Sequence, residues 1–139
     1  MTATTVTTLL VALFLPFPLW LAEQVVPYPY IVEELAKAVL IYFVFKEEIS
    51  VKHKLLLSIS VGALFGLSET MLYVFNYFQS GGLESFLLRL AVTIPFHGLS
   101  GLIIALPGVK NRNLIILGGV LAIIYHFLYN SYFAPLIAK

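Results

Sequence analysis

Four short constellations of ionisable residues interrupt otherwise apolar stretches of this 139-residue chain. In order they are Glu33-Glu34-Leu35-Ala36-Lys37, Glu69 with Tyr73, Thr93 with His97, and His126 with Asn130. Each contains a pair of polar residues four apart, the interval that puts two side chains on one face of an α-helix. An ionisable side chain in hydrocarbon costs ~3 kcal/mol on insertion, so such residues are rare and normally face a bundle interior or a water-filled cavity. Carboxylate together with imidazole admits three chemistries: proton transfer to and from a water, relay of protons or ions along a membrane pathway, and ligation of a divalent metal such as zinc by a His/His/Glu set. No His-Glu-x-x-His helix is present to favour the last. The chain has no cysteine and no aspartate, which excludes thiolate catalysis, a Ser/His/Asp triad and a two-aspartate mechanism.

Each residue also has a structural reading. Glu33 and Lys37 could form an interfacial ion pair of modest value. A lone His97 or His126 could hydrogen-bond a neighbouring helix. Arg89, two turns into its apolar stretch, reads as a residue that snorkels outward. Glu69 resists such an explanation, because no Lys or Arg lies at helical spacing from it within its own stretch. The many Phe and Tyr residues read as lipid-facing or packing groups. What favours function is joint occurrence, with two Glu positions and two His positions spread over four separate apolar segments.

Those segments must be membrane helices. Hydrophobic residues make up 60% of the chain and charged residues 11%, far from the composition of a soluble domain. Spanning ~30 Å of hydrocarbon takes about 20 helical residues. Five apolar stretches meet that need, at about 5–22, 30–45, 55–78, 83–106 and 114–137, and they nearly exhaust the chain. The expected fold is an all-α integral membrane bundle of about five helices in one domain. Pro16 and Pro18 should kink the first span, and Pro27 and Pro29 suit the start of the second. Lys46, Glu47, Glu48, Lys52 and Lys54 form a polar loop in this reading. Gly62 and Gly66, four apart on the third span, allow close approach of a neighbour, and Ser80-Gly81-Gly82 ends that span. No basic residue precedes the first span and no small-x-small pattern closes it, so it reads as a retained span rather than a signal peptide. Lys46, Lys52, Lys54, Lys110 and Arg112 fall in the second and fourth loops, which puts those loops and the N-terminus in the cytoplasm and the Glu/His group mainly in the outer half of the bilayer; Lys139 is the one basic residue against this. A net charge of +1 offers no basic field for nucleic acid.

With these motifs in place, the chain resembles the PrsW branch of intramembrane proteases, relatives of the CAAX prenyl endopeptidases and bacteriocin-processing enzymes. The family pattern runs Glu-Glu-x-x-Lys or Glu-Glu-x-x-x-Arg, then Glu-x-x-x-Tyr, an isolated His, and His-x-x-x-Asn. It is matched in order by Glu33-Glu34 with Lys37, Glu69 with Tyr73, His97, and His126 with Asn130, from Glu33 to Asn130. Two features depart from it: the chain is short, with fewer spans, and the family's Phe four residues before the His is Thr93 here. A homo-oligomer could supply the missing surface.

The resemblance implies hydrolysis of peptide bonds in membrane-anchored protein or peptide substrates. Such a reaction needs an activated water, oxyanion stabilisation and protonation of the leaving amine. In the leading version Glu33 or Glu34 is the base on water and the other orients it. His126 and Asn130 stabilise the oxyanion, His97 positions the water, and Glu69 orients a histidine or shares a proton. The cofactor is open: a variant ranked below this one places zinc or another divalent ion on His97, His126 and a Glu. Replacing either Glu33 or Glu34 by Gln is expected to leave stability level or higher. The rival from another class is a small ion or proton transporter or channel subunit, against which stands the lack of a visible inverted repeat.

Overall fold

A computed structural model describes residues 2–74, 79 and 82–134. Thr2 opens the first helix, its hydroxyl accepting the Thr5 backbone N–H at 3.1 Å. Helix α1 (Ala3–Phe14) and helix α2 (Pro16–Glu23) meet at a 41° bend. Pro16 is the first residue of α2 and brings no N–H to continue the ladder from α1, which is why the bend falls there. Helix α3 (Pro29–Lys46) likewise begins on a proline. Its far end is closed by Lys54, whose ammonium donates to the Phe45 carbonyl at 3.1 Å.

Helix α4 (Val51–Leu72) starts earlier than the apolar pattern predicts, because Ser50 caps it by accepting the His53 N–H. Lys52 and Lys54 therefore belong to its first turn, not to a loop. Helix α5 (Gly82–Gly108) follows, and a 3-10 turn (Arg112–Leu114) leads into helix α6 (Ile115–Leu128), which widens into a π-helical turn (Tyr129–Phe133). The expected ends of the third and fifth spans at Phe78 and Ile137, the Ser80-Gly81 turn and Lys139 lie outside the described residues. No strand occurs among the described residues.

Three segments, Val51–Leu72, Gly82–Gly108 and Arg112–Phe133, are long and apolar enough to cross a membrane, and the bent α1/α2 pair makes up to four. The protein is an all-α, multi-pass integral membrane protein. The expected second span is the one that falls short on composition, since α3 carries Glu33, Glu34, Lys37 and Lys46 within its 18 residues. Three of its four charges are turned inward: Glu33 is buried and Glu34 and Lys37 are fully buried, whereas Lys46 at the helix end and Leu35, Val39 and Phe43 are exposed. Apolar side chains such as Leu10, Phe14, Ile116 and Leu117 likewise lie outside, while Glu33, Glu34, Lys37, His97 and His126 are buried.

Helices α4 and α5 pack most intimately, through small residues. Gly62 faces the backbone carbonyl of His97 so closely that no side chain fits between them, and Gly66 faces the His97 ring. An apolar core of Ile41, Val44, Val61, Ile104 and Ala122 lies beneath, joining α3, α4, α5 and α6. The site below is thus framed by four helices whose spacing is set by glycine contacts and an aliphatic layer.

Candidate functional site

Glu33, Glu34 and Lys37 come from the first half of α3, Glu69 from the last turn of α4, His97 from the middle of α5, and His126 from the end of α6. The fold brings all of these to one place. Glu34 is fully buried and each of its oxygens is engaged. Oε1 accepts from the Lys37 ammonium at 2.7 Å and contacts His126 Nδ1 at 2.8 Å, while Oε2 accepts from the Ser100 hydroxyl. Because a carboxylate only accepts, Nδ1 of His126 carries the proton and the lone pair of that ring is left at Nε2.

His97 is held from two sides. Lys37 Nζ lies 2.7 Å from its Nδ1, and Glu69 Oε2 lies 2.6 Å from its Nε2. Glu69 is in turn paired through Oε1 with Arg89 of α5 at 3.1 Å. Phe96 packs against both imidazoles, its ring edge-on to His97 at 5.1 Å and to His126 at 5.0 Å, and the two imidazole rings stand 5.3 Å apart at 80°.

A cavity of about 240 Å³ opens onto this cluster, lined by Glu33, Glu69, Arg89, His97, His126 and Asn130 among others. Glu33 differs from its neighbour: its Oε2 is buried with no hydrogen-bond partner, 3.7 Å from His126 Nδ1, and it faces the cavity while Glu34 does not. Asn130 reaches the cavity from the π-turn, where the wider winding shifts it from the α-helical position expected four residues after His126. It makes no hydrogen bond to His126. Tyr73, just past the end of α4, also lines the cavity without bonding Glu69.

Three expectations from the sequence need correction. Lys37 pairs with Glu34, three residues away, and not with Glu33, and the pair is buried rather than interfacial. Glu69 has two partners, supplied by α5 rather than by its own helix. Arg89 turns inward to that carboxylate instead of snorkelling. Sequence reasoning also missed Ser100 and Phe96. Ser100 lies three residues after His97, on the same helical face, a spacing that could have flagged it. Nothing distinguishes Phe96 from the other aromatic residues of the chain.

The donor set suits a divalent cation. Glu33, Glu34, His97 and His126 are all buried, and each offers a ligand atom within 4.8 Å of the others. A tetrahedral zinc with ~2.1 Å bonds sets its ligands about 3.4 Å apart, so a small contraction brings the set into range. The orphaned Glu33 Oε2 points the same way.

A family model described as PrsW family intramembrane metalloprotease matches residues 2–138. No curated protein and no solved structure matches the chain.

Proposed function

The chain belongs to the PrsW family of intramembrane metalloproteases and is an intramembrane protease; from its geometry we propose that Glu33 is the base that activates water for peptide hydrolysis, while Glu34 is an anchor. The observation that carries this is the asymmetry between the two carboxylates. Glu33 faces the cavity with an oxygen lacking any hydrogen-bond partner, and Glu34 is closed off by Lys37, His126 and Ser100.

The family's description as metalloproteases puts the metal-assisted version of the reaction ahead of the metal-free one. Glu34, His97 and His126 would hold the ion, with Glu33 beside it. A divalent ion in such a set supplies an acidified water and polarises the scissile carbonyl. Glu33, with an oxygen at the cavity that has no hydrogen-bond partner, would take the proton of the attacking water and return it to the leaving amine. Asn130, at the cavity from the π-turn, donates to the developing oxyanion. Glu69 keeps the His97 ring in place, and Arg89 fixes Glu69. Phe96 packs edge-on against both imidazoles and steadies their orientation.

The substrates in this reading are membrane-anchored proteins or peptides, entering from the bilayer into the cavity. One domain over residues 1–139, a cytoplasmic N-terminus and kinship with the CAAX prenyl endopeptidases are further parts of the proposal, supported by the short connections, the basic residues of two loops and the order of the motifs. Turnover of a peptide library by the reconstituted protein tests the central claim. Glu33→Gln should lower turnover ~10² to 10⁴-fold, the usual value of a general base, with thermal stability unchanged. Wild-type turnover in Glu33→Gln refutes the assignment.

A further inference from the structure

Lys37 is fully buried on α3, its ammonium 2.7 Å from Glu34 Oε1, 2.7 Å from His97 Nδ1 and 4.7 Å from the centre of the Phe65 ring. An ammonium has three donors and no acceptor, so Nδ1 of His97 is the acceptor and the ring proton sits on Nε2, facing Glu69 at 2.6 Å. The lone pair that His97 would offer to an ion is therefore already engaged by Lys37.

His97 can ligate in two ways, and Lys37 obstructs both. Through Nδ1, the incoming ion must take the position that the ammonium holds. Through Nε2, the ring proton must move to Nδ1, where it would point at a group with no acceptor. Glu34 is under the same constraint, because the oxygen that contacts His126 also accepts from Lys37. Two cations side by side in a buried cage would also repel strongly.

We propose that Lys37 is a resident cation of the ligand cage: its ammonium holds Glu34 and His97 in register in the metal-free protein, and a divalent ion enters by displacing Lys37 from His97. This rests on the metal-assisted reading above. Lys37 then opposes ion binding while supporting the ion-free fold, the reverse of what a lysine that merely braces the ligands would do. It is a positioning residue, so its removal is read in binding and stability and not in turnover alone.

The test uses the full chain in detergent micelles, stripped with a chelator, and Co²⁺ as the probe because its visible absorption reports the ligand set. Wild type, Lys37→Met and Lys37→Gln are compared for Co²⁺ affinity and for melting temperature with and without Co²⁺. Both variants should bind Co²⁺ at least ~10-fold more tightly than wild type, through relief of the charge repulsion. They should also melt lower without the ion and gain more from it. A variant that folds only when Co²⁺ is present supports the exchange as well. Equal or weaker Co²⁺ binding in both variants, with wild type binding normally, overturns the proposal and leaves the metal reading standing. Failure of both variants to fold even with Co²⁺ also overturns it, since the ion then cannot take the place of Lys37. Absence of Co²⁺ binding in wild type and both variants, or binding that His126→Ala and Glu34→Gln leave unchanged, removes the metal reading itself and the exchange with it.

Discussion

Gly66→Ala is the sharpest probe of the coupling between helix packing and chemistry. A Cβ at Gly66 would stand 2.8 Å from His97 Cδ2, 2.9 Å from the Thr93 carbonyl oxygen and 3.1 Å from His97 Cβ. Carbon atoms settle at about 3.5 to 4.0 Å, so the His97 ring or the whole of α5 must retreat by ~0.7 Å. The contacts of His97 to Lys37 and Glu69, 2.7 and 2.6 Å in the native arrangement, would lengthen beyond about 3.2 Å, where such bonds weaken. Overpacking costs ~1 to 3 kcal/mol, and the better helix propensity of Ala returns about 1 kcal/mol, so the net loss of stability is small. Misplacing a reacting group by roughly that distance lowers turnover about 10²-fold. Gly98→Ala is the control: its Cβ would meet Ile59 at 3.6 Å, an ordinary contact, so this variant should keep full turnover and melt no lower than wild type. Peptide turnover and thermal unfolding in micelles are the two assays. Wild-type turnover in Gly66→Ala, or equal loss in Gly98→Ala, would refute the claim that the α4/α5 approach sets His97.

The two glutamates should separate on stability as well as on rate. Glu34→Gln leaves the buried Lys37 ammonium without its counter-charge and should destabilise the ion-free protein by ~3 to 5 kcal/mol, whereas Glu33→Gln should not; equal melting temperatures for both variants would contradict the inward pairing. Arg89→Met removes a partly exposed partner of Glu69 and should cost ~1 kcal/mol or less, with a drop in turnover smaller than that of Glu33→Gln; complete inactivity would assign Arg89 a direct role. A cysteine introduced at Lys52 should be shielded from an impermeant reagent outside intact cells, and labelling there would invert the topology.

For Glu34→Gln the observed pairing predicts the opposite of the sequence expectation, because spacing could not say which carboxylate faces Lys37. Residues three and four apart are both neighbours on a helix, and here the three-residue pair forms. The partner of Glu69 was equally hidden. Arg89 lies twenty residues away on another helix, and only the packing of α4 on α5 delivers it. Helix α3 carries four charged residues in eighteen, yet it turns Glu33, Glu34 and Lys37 inward and leaves Lys46 at its end, with Leu35, Val39 and Phe43, outside.

By itself the sequence determined the helical, membrane-embedded character of the chain, because backbone groups in hydrocarbon must bond within their own segment and its apolar stretches have the length of membrane helices. It also marked Glu33, Glu34, Glu69, His97 and His126 as anomalous, since each carries a heavy insertion cost that composition alone reveals. Tertiary structure decided how these residues divide their work. Whether a carboxylate is sealed, like Glu34 among Lys37, His126 and Ser100, or left with a bare oxygen at a cavity, like Glu33, depends on the rotation and close approach of helices distant in sequence. Those follow from glycine contacts between α4 and α5 and from the packing of Phe96 against both imidazoles, which side-chain periodicity along one helix does not encode.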